Sequence, residues 1–395
     1  MDKIEELLTR GVANIIPSKE GLEKKLRSGK KLNVYLGIDP TATKIHLGHA
    51  VPLRKLQAFA DLSHNVTFLI GDFTALIGDT SDKDAQRPVL KSSQIEENFK
   101  TYKKQAEKVL DFSKIRVRYN SEWLSKLTFE EVVKLSQQFS FGDFAARELI
   151  KKRLSGGKHV GLHEGLYPAM QGYDSYFMNT DIQIGGTDQT FNMQAGRTLI
   201  KNWRKKESFI LANGFLPGTD GRKMSKTWNN AIWLEDNPFD MYAKVMAIND
   251  DLIAQYFTLA TDMSISAIEN IEKELKNSGK PISAKKELAK QIVKELYTGK
   301  EAENAQNNFE KTVQKKESPD YMKIHKFNAS EKKLTDILVE TKLAKSKSDA
   351  QRLVEQGGVS IDGIIATDPN KMIELKNEKV IKVGKHRFAK IKSAS

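Results

Sequence analysis

Short apolar runs alternate with helical patterns through roughly the first 230 residues. KLNVYLGID (31–39) predicts a strand, and 46–62 predicts a helix with Leu53, Leu56, Phe59 and Ala60 along one face. NVTFLIGDFTALIGD (65–79) predicts a strand running into a Gly/Asp-rich loop, and a polar helix is expected from Gln86 to Leu110. IRVRYNSEWL, IQIGGTDQ (182–189) and SFILANGFL (208–216) supply three more strands. Strands alternating with helices predict an α/β fold, a parallel sheet covered on both faces. Ligands of such sheets bind beyond the carboxyl ends of the strands, where the strand order switches.

The pattern changes after that. Residues 237–313 read as helical throughout, with Leu288, Ile292 and Leu296 four apart. The polar stretch 314–333, with Pro319, reads as a linker. The block 334–395 predicts two short helices, a GGVSIDG turn and terminal strands. MDKIEELLTRGVANII at the start predicts an amphipathic helix rather than a signal peptide.

Length and composition narrow the classes. The chain has 395 residues, room for two or three domains. No apolar stretch reaches the length of a membrane span, so no membrane partner is expected. With no cysteine, disulfides, zinc–thiolate sites and thiol catalysis are excluded, which suits a cytoplasmic protein. The net charge of +13 fits a polyanionic partner, although composition alone slightly favours a generally basic proteome. Residues 331–395 carry 14 Lys/Arg against 9 Asp/Glu, a surplus of +5.

Two stretches carry chemistry. In DPTATKIHLGHA (39–50), His46 and His49 stand three apart across Gly48, at the mouth of a strand-to-helix turn. Bare N–H groups and the positive dipole end there favour an anion, and Gly48 lets a phosphate approach closely. The plain alternative is one capping and one solvated histidine. A metal is disfavoured, because no third ligand stands at a recognisable spacing. In GRKMSKT (221–227), Lys223 and Lys226 lie three apart on a loop after the last strand of the sheet. They suit a leaving polyphosphate; alone, they read as a solvated basic loop.

Together HLGH and KMSKT resemble the HIGH and KMSKS signatures of class I aminoacyl-tRNA synthetases, with Thr227 for the last Ser. VYLGIDPTA, LYPAMQGYD (166–174) and QIGGTDQ with Asn192 resemble the bacterial tyrosyl branch of that family. The resemblance runs over nearly the whole chain. It implies a Rossmann-like catalytic domain over 1–232 with a dimer-forming insertion at about 120–165. An α-helical anticodon-side domain (233–315), a linker (316–332) and a small α+β RNA-binding domain (333–395) follow.

The implied activity is ATP-dependent activation of L-tyrosine to the adenylate, then transfer to the terminal ribose of tRNA(Tyr). The carboxylate is already nucleophilic, so catalysis rests on positioning and on phosphate charge. The resemblance places His46, His49 and Thr41 on the phosphates, with Lys223 and Lys226 gripping them from the loop. Gly37, Asp39, Gly48, Gly186, Asp188, Met224 and Ser225 complete the ATP site. Asp79, Tyr167, Gln171 and Gln189 serve the tyrosine ammonium and carboxylate, and Tyr35 with Asp174 its phenol. Mg²⁺ is expected on the triphosphate rather than in a protein cage. Ser346, Lys347, Ser348 and Arg352 would face RNA phosphates, and Lys151, Lys152 and Arg153 the acceptor stem. A symmetric homodimer is implied. The rival readings are the tryptophanyl enzyme, which shares both signatures, a non-catalytic RNA-binding relative, and a small nucleotidyltransferase.

Overall fold

The computed structural model describes residues 2–41, 43–77, 92–225, 227–314, 324–384 and 387–394. The chain packs as two compact units, Met1–Thr298 and Gly299–Ser395.

The first unit is built on six strands: β1 (Val12–Ile16), β2 (Asn33–Ile38), β3 (Asn65–Ile70), β4 (Ile115–Tyr119), β5 (Ile182–Gly186) and β6 (Phe209–Asn213). Their order is β1-β6-β5-β2-β3-β4. Strands β2 to β6 are parallel. Val34, Tyr35 and Leu36 are buried in succession, as are all five residues of β6. Consecutive burial means that both faces are covered. From β2 the chain runs outward through β3 and β4, then returns to place β5 and β6 on the other side. The switch in order therefore falls between β2 and β5.

Three expectations need correcting. The N-terminal helix stops at Thr9. Gly11 takes φ +63° just past its end, the usual glycine stop, and VANII becomes β1, an antiparallel edge strand on β6. The sheet is thus mixed. Strand β4 ends at Tyr119, and Ser121–Leu124 is a helical turn. Of the helix expected over 86–110, Ser92–Ala106 is helical and 107–110 are not, while 86–91 lie outside the described residues.

The helix Leu47–Asp61 buries Leu53, Leu56, Phe59 and Ala60 as its spacing predicts. The helices Leu162–Phe177 and Thr190–Arg204 pack on each other, with the second also against β5 and β6. The helical stretch holds Pro238–Met246, Ile253–Ala260, Ile265–Ser278 and Pro281–Leu296.

The second unit carries β7 (Ile324–Phe327), β8 (Glu331–Lys333), β9 (Val359–Ile361), β10 (Ile364–Ile365), β11 (Met372–Glu374), β12 (Lys379–Val383) and β13 (Arg387–Ser393). Part of the stretch read as a linker is thus structured, because β7 pairs in parallel with β13 and β8 with β11. The helices Leu334–Glu340 and Lys347–Glu355 bury Leu334, Ile337, Leu338, Ala350 and Val354 in one core with Val359, Ile381 and Ile391. Asp362 and Gly363, both at positive φ, form the tight turn between β9 and β10.

Candidate active site

A cavity of about 570 Å³ opens at the carboxyl ends of β2, β3, β5 and β6, the position expected of the switch point. Tyr35, Gly37, Asp39, Thr41, His46, Gly48, His49, Tyr167, Gln171, Asp174, Gly186, Asp188, Gln189 and Lys223 all line it. Met224, buried in its own loop, and Ser225 are not on its wall. Asp79 and Lys226 lie outside the described residues.

His46 is the N-cap of the Leu47–Asp61 helix, with extended backbone. Its N–H donates to Nδ1 of His49 (3.2 Å), and the rings stack at 3.8 Å. With Nδ1 accepting, His49 carries its proton on Nε2. Nδ1 of His46 is buried with no hydrogen-bond partner among the described residues, a group that a ligand can satisfy. Burial pushes His46 down to about 2, helped by His49 and Lys223, and His49 down to about 4, helped by Lys223. Both imidazoles are therefore neutral at pH 7 and act as hydrogen-bonding groups, not cations. A Cβ on Gly48 would sit 3.0 Å from the His46 ring, which explains the glycine between them.

The lysine loop is tied to the same turn. The N–H of Leu47 donates to Ile232 O (2.9 Å), and that of Leu234 to Ile45 O (3.0 Å). Asn230 braces the loop: its Oδ1 accepts from the Ser225 N–H (2.8 Å), and its Nδ2 donates to Asp220 (2.7 Å) and to Lys223 O (3.1 Å). Lys223 pairs with Asp188 at 3.5 Å across the cavity rim, both half exposed.

Deep in the cavity lies a buried polar chain. Tyr35 donates to Gln183 Oε1 (3.2 Å) and shares a bond with Ser175 Oγ (2.8 Å). Asp174, 3% exposed, accepts from Trp123 Nε1 (2.7 Å) and Asn120 Nδ2 (3.2 Å). Burial pushes its carboxyl up to about 8 against the pull of those two donors. Asn120 also donates to Thr74 Oγ1 (3.0 Å), which donates to Asp39 Oδ1 (2.8 Å), whose Oδ2 accepts from Tyr167 (2.9 Å). Gly71 is required here: a Cβ would fall 1.9 Å from Asp39 Oδ1.

Asn120, Trp123, Thr74, Ser175 and Gln183 were missed in the sequence. Two left a signal: Gln183 is polar inside an apolar strand, and Asn120 ends one.

Residues 27–314 match the family described as tRNA synthetases class I (W and Y), and residues 332–379 match the S4 domain. The Tyrosine--tRNA ligase of Thermotoga maritima is 41% identical over 98% of this chain and 96% of its own length. Tyrosine--tRNA ligase 2 of Clostridium acetobutylicum is 42% identical over 99% of this chain and 98% of its own. The chain belongs to the tyrosine–tRNA ligase family.

Solved structures agree on the fold. A C-terminally truncated mitochondrial tyrosyl-tRNA synthetase of Aspergillus nidulans superposes with a TM-score of 0.64 at 23% identity, covering 77% of this chain and 92% of that one. The Archaeoglobus fulgidus tyrosyl-tRNA synthetase, solved with L-tyrosine, gives 0.61 at 20% identity, covering 78% and 100%. The exposed helix Lys347–Glu355 lies in the S4 match. It is capped by Ser346 Oγ, which accepts from the Asp349 N–H (3.2 Å). Lys347 pairs with Asp336 (2.8 Å) and Arg352 with Asp349 (2.7 Å). One expected RNA contact fails: Arg153 is 2% exposed and locked to Glu164. Among the described residues no helix is long and apolar enough to cross a membrane.

Proposed function

We propose that this chain activates tyrosine with ATP and transfers it to tRNA, using the cavity at the β2–β5 switch. The observation that carries this is the buried pair Tyr35 and Asp174 beneath a rim bearing His46, His49 and Lys223. A phenol can donate to Asp174, and can accept from Tyr35 once that hydroxyl turns from Gln183, which Ser175 also serves. Phenylalanine would give neither group a partner, so each keeps one hydrogen bond fewer than with tyrosine. Tyrosyl-tRNA synthetases are the established example of that logic, with about 10⁵-fold discrimination against phenylalanine.

In the first step a carboxylate oxygen of tyrosine attacks the α-phosphorus. The bond from that phosphorus to the bridging oxygen breaks, and pyrophosphate leaves with the electron pair. Neutral His46 and His49 hydrogen-bond phosphate oxygens, and Lys223 supplies positive charge. Lys226 would act beside Lys223, and Thr41 at the far phosphate. The open backbone of Gly37 and Gly186 admits the nucleoside, and Asp188 accepts from its ribose. Tyr167, Gln171 and Asp79 hold the ammonium, with Gln189 near the carboxylate. In the second step a terminal ribose hydroxyl attacks the carbonyl carbon, the bond to the phosphate oxygen breaks, and AMP leaves. Among the described residues no group of three or more His, Asp or Glu could hold a metal. Magnesium would be carried by the phosphates of the nucleotide.

The same reading makes the chain a cytoplasmic homodimer. Phe129, Phe141 and Leu162, 84%, 70% and 82% exposed, lie within the expected subunit-joining insertion, and their exposure supports an interface there. The S4 match supports an RNA-binding role for Ser346, Lys347, Ser348 and Arg352. Pyrophosphate exchange with tyrosine, phenylalanine and tryptophan side by side tests the reading. Exchange with tyrosine alone is expected; tryptophan as the better substrate would overturn it.

A further inference from the structure

A second cavity, of about 280 Å³, abuts the first. Its walls are Arg147–Ile150, at the start of the helix Glu148–Ser155, with Thr187, Asp188 and Phe191. Thr187 and Asp188 line both cavities, so an occupant of the small one lies beside the large one. On its wall the Arg147 guanidinium rests 4.6 Å over the Phe191 ring, the two forming one stacked pair. Neither residue has a part in the chemistry above.

We propose that this cavity receives the nucleobase of the 3′-terminal nucleotide of the acceptor RNA, with Arg147 and Phe191 as its stacking wall. The proposal rests on the ligase reading and gives its second step a place to hold the acceptor.

Three observations converge on that ligand. Transfer needs a ribose hydroxyl at the carbonyl carbon in the large cavity, so the attached base must lodge beside it, where Thr187 and Asp188 form the shared wall. Unpaired bases are held by stacking on aromatic rings and guanidinium planes, and Phe191 with Arg147 supplies both. The volume lies near the lower end of ordinary ligand pockets, roughly 300 Å³, which suits one nucleoside and excludes a duplex. Beside these surfaces Glu148, exposed, offers a carboxylate to an exocyclic amine.

The approach is basic. Arg147 and Lys151 stand four apart, and Lys151 and Lys152 are exposed, so backbone phosphates have cations to follow. Arg153 does not join them. Its bonds to Glu164 (2.7 and 3.0 Å) and to His159 O (2.6 Å) anchor the cavity's helix from behind.

The test uses the full chain with Arg147→Gln and Phe191→Leu. Tyrosine-dependent pyrophosphate exchange is measured beside transfer to tRNA. Binding is compared for tRNA with and without its terminal nucleotide. Exchange is expected within twofold of the parent in both variants, while kcat/KM for transfer falls roughly 5- to 150-fold, the worth of one stacked base. The parent should bind the shortened RNA more weakly, and Phe191→Leu should erase that difference. Three results would overturn the proposal: undiminished transfer in both variants, a parallel fall in exchange and transfer, or a changed oligomeric state. The last would assign the cavity to a contact between copies. A parent that shows no exchange with tyrosine would instead sink the ligase reading, so the two failures are distinguishable.

Discussion

Trp123→Phe isolates the hydrogen bonding around Asp174. The substitution removes the 2.7 Å donor from Asp174 Oδ1 and leaves a ring to stack on Phe177, 4.6 Å away. A hydrogen bond to a charged group contributes about 1.5–3 kcal/mol. Burial already pushes Asp174 up to about 8, and Trp123 is the larger of the two donors restraining it. With Asn120 alone the carboxyl moves further up, so at pH 8.5, where the parent carboxyl is largely ionised, that of the variant still holds its proton and the substrate phenol loses a charged acceptor. KM for tyrosine in pyrophosphate exchange should rise roughly 10- to 150-fold. Phenylalanine makes no use of that acceptor and should change little, so discrimination narrows by a similar factor. At pH 7, where both carboxyls hold their protons, the gap between variant and parent should narrow. A tyrosine KM within twofold of the parent, or a loss indifferent to pH, would refute the assignment.

Further outcomes follow from the same geometry. His49→Ala removes the proposed phosphate donor and the acceptor of the His46 N–H; kcat for activation should fall about 10²–10³-fold, read by single-turnover adenylate formation. Because both imidazoles are already neutral, the parent should show no histidine limb between pH 6 and 8. Asp174 holds a proton in the fold up to about 8, whereas the unfolded chain loses it near 3.9. Its term therefore lowers stability as pH rises through that window, and Asp174→Asn should flatten the slope of unfolding free energy between pH 6 and 8. Lys347→Gln with Arg352→Gln should weaken tRNA binding and reduce its salt slope by about 1–2, with pyrophosphate exchange intact. Phe141→Glu with Leu162→Glu should yield a monomer by sedimentation; an unchanged dimer would move the interface elsewhere.

Much of this was legible in the sequence because period and position suffice for it. Buried parallel strands read as unbroken apolar runs, and the suspicious residues cluster at their ends. VANII escaped notice because five residues behind a helical pattern carry no period of their own; Gly11 was the visible stop. Residues 324–333 are polar and read as linker, yet β7 is held by pairing with β13, a contact that no local pattern announces. The support around Asp174 escaped for the same reason. Asn120 and Trp123 lie 54 and 51 residues from Asp174 and acquire meaning only when the fold brings them to it. Arg153 misled because its neighbours are exposed lysines, while its own partner, Glu164, lies eleven residues on.

The most direct test is a crystal structure with a non-hydrolysable tyrosyl-adenylate analogue. The account places the phenol oxygen within hydrogen-bond reach of both Tyr35 and Asp174, and the adenylate phosphate group beside His46 and His49. A phenol lodged elsewhere in the cavity, or a phosphate group remote from the histidine turn, would contradict it.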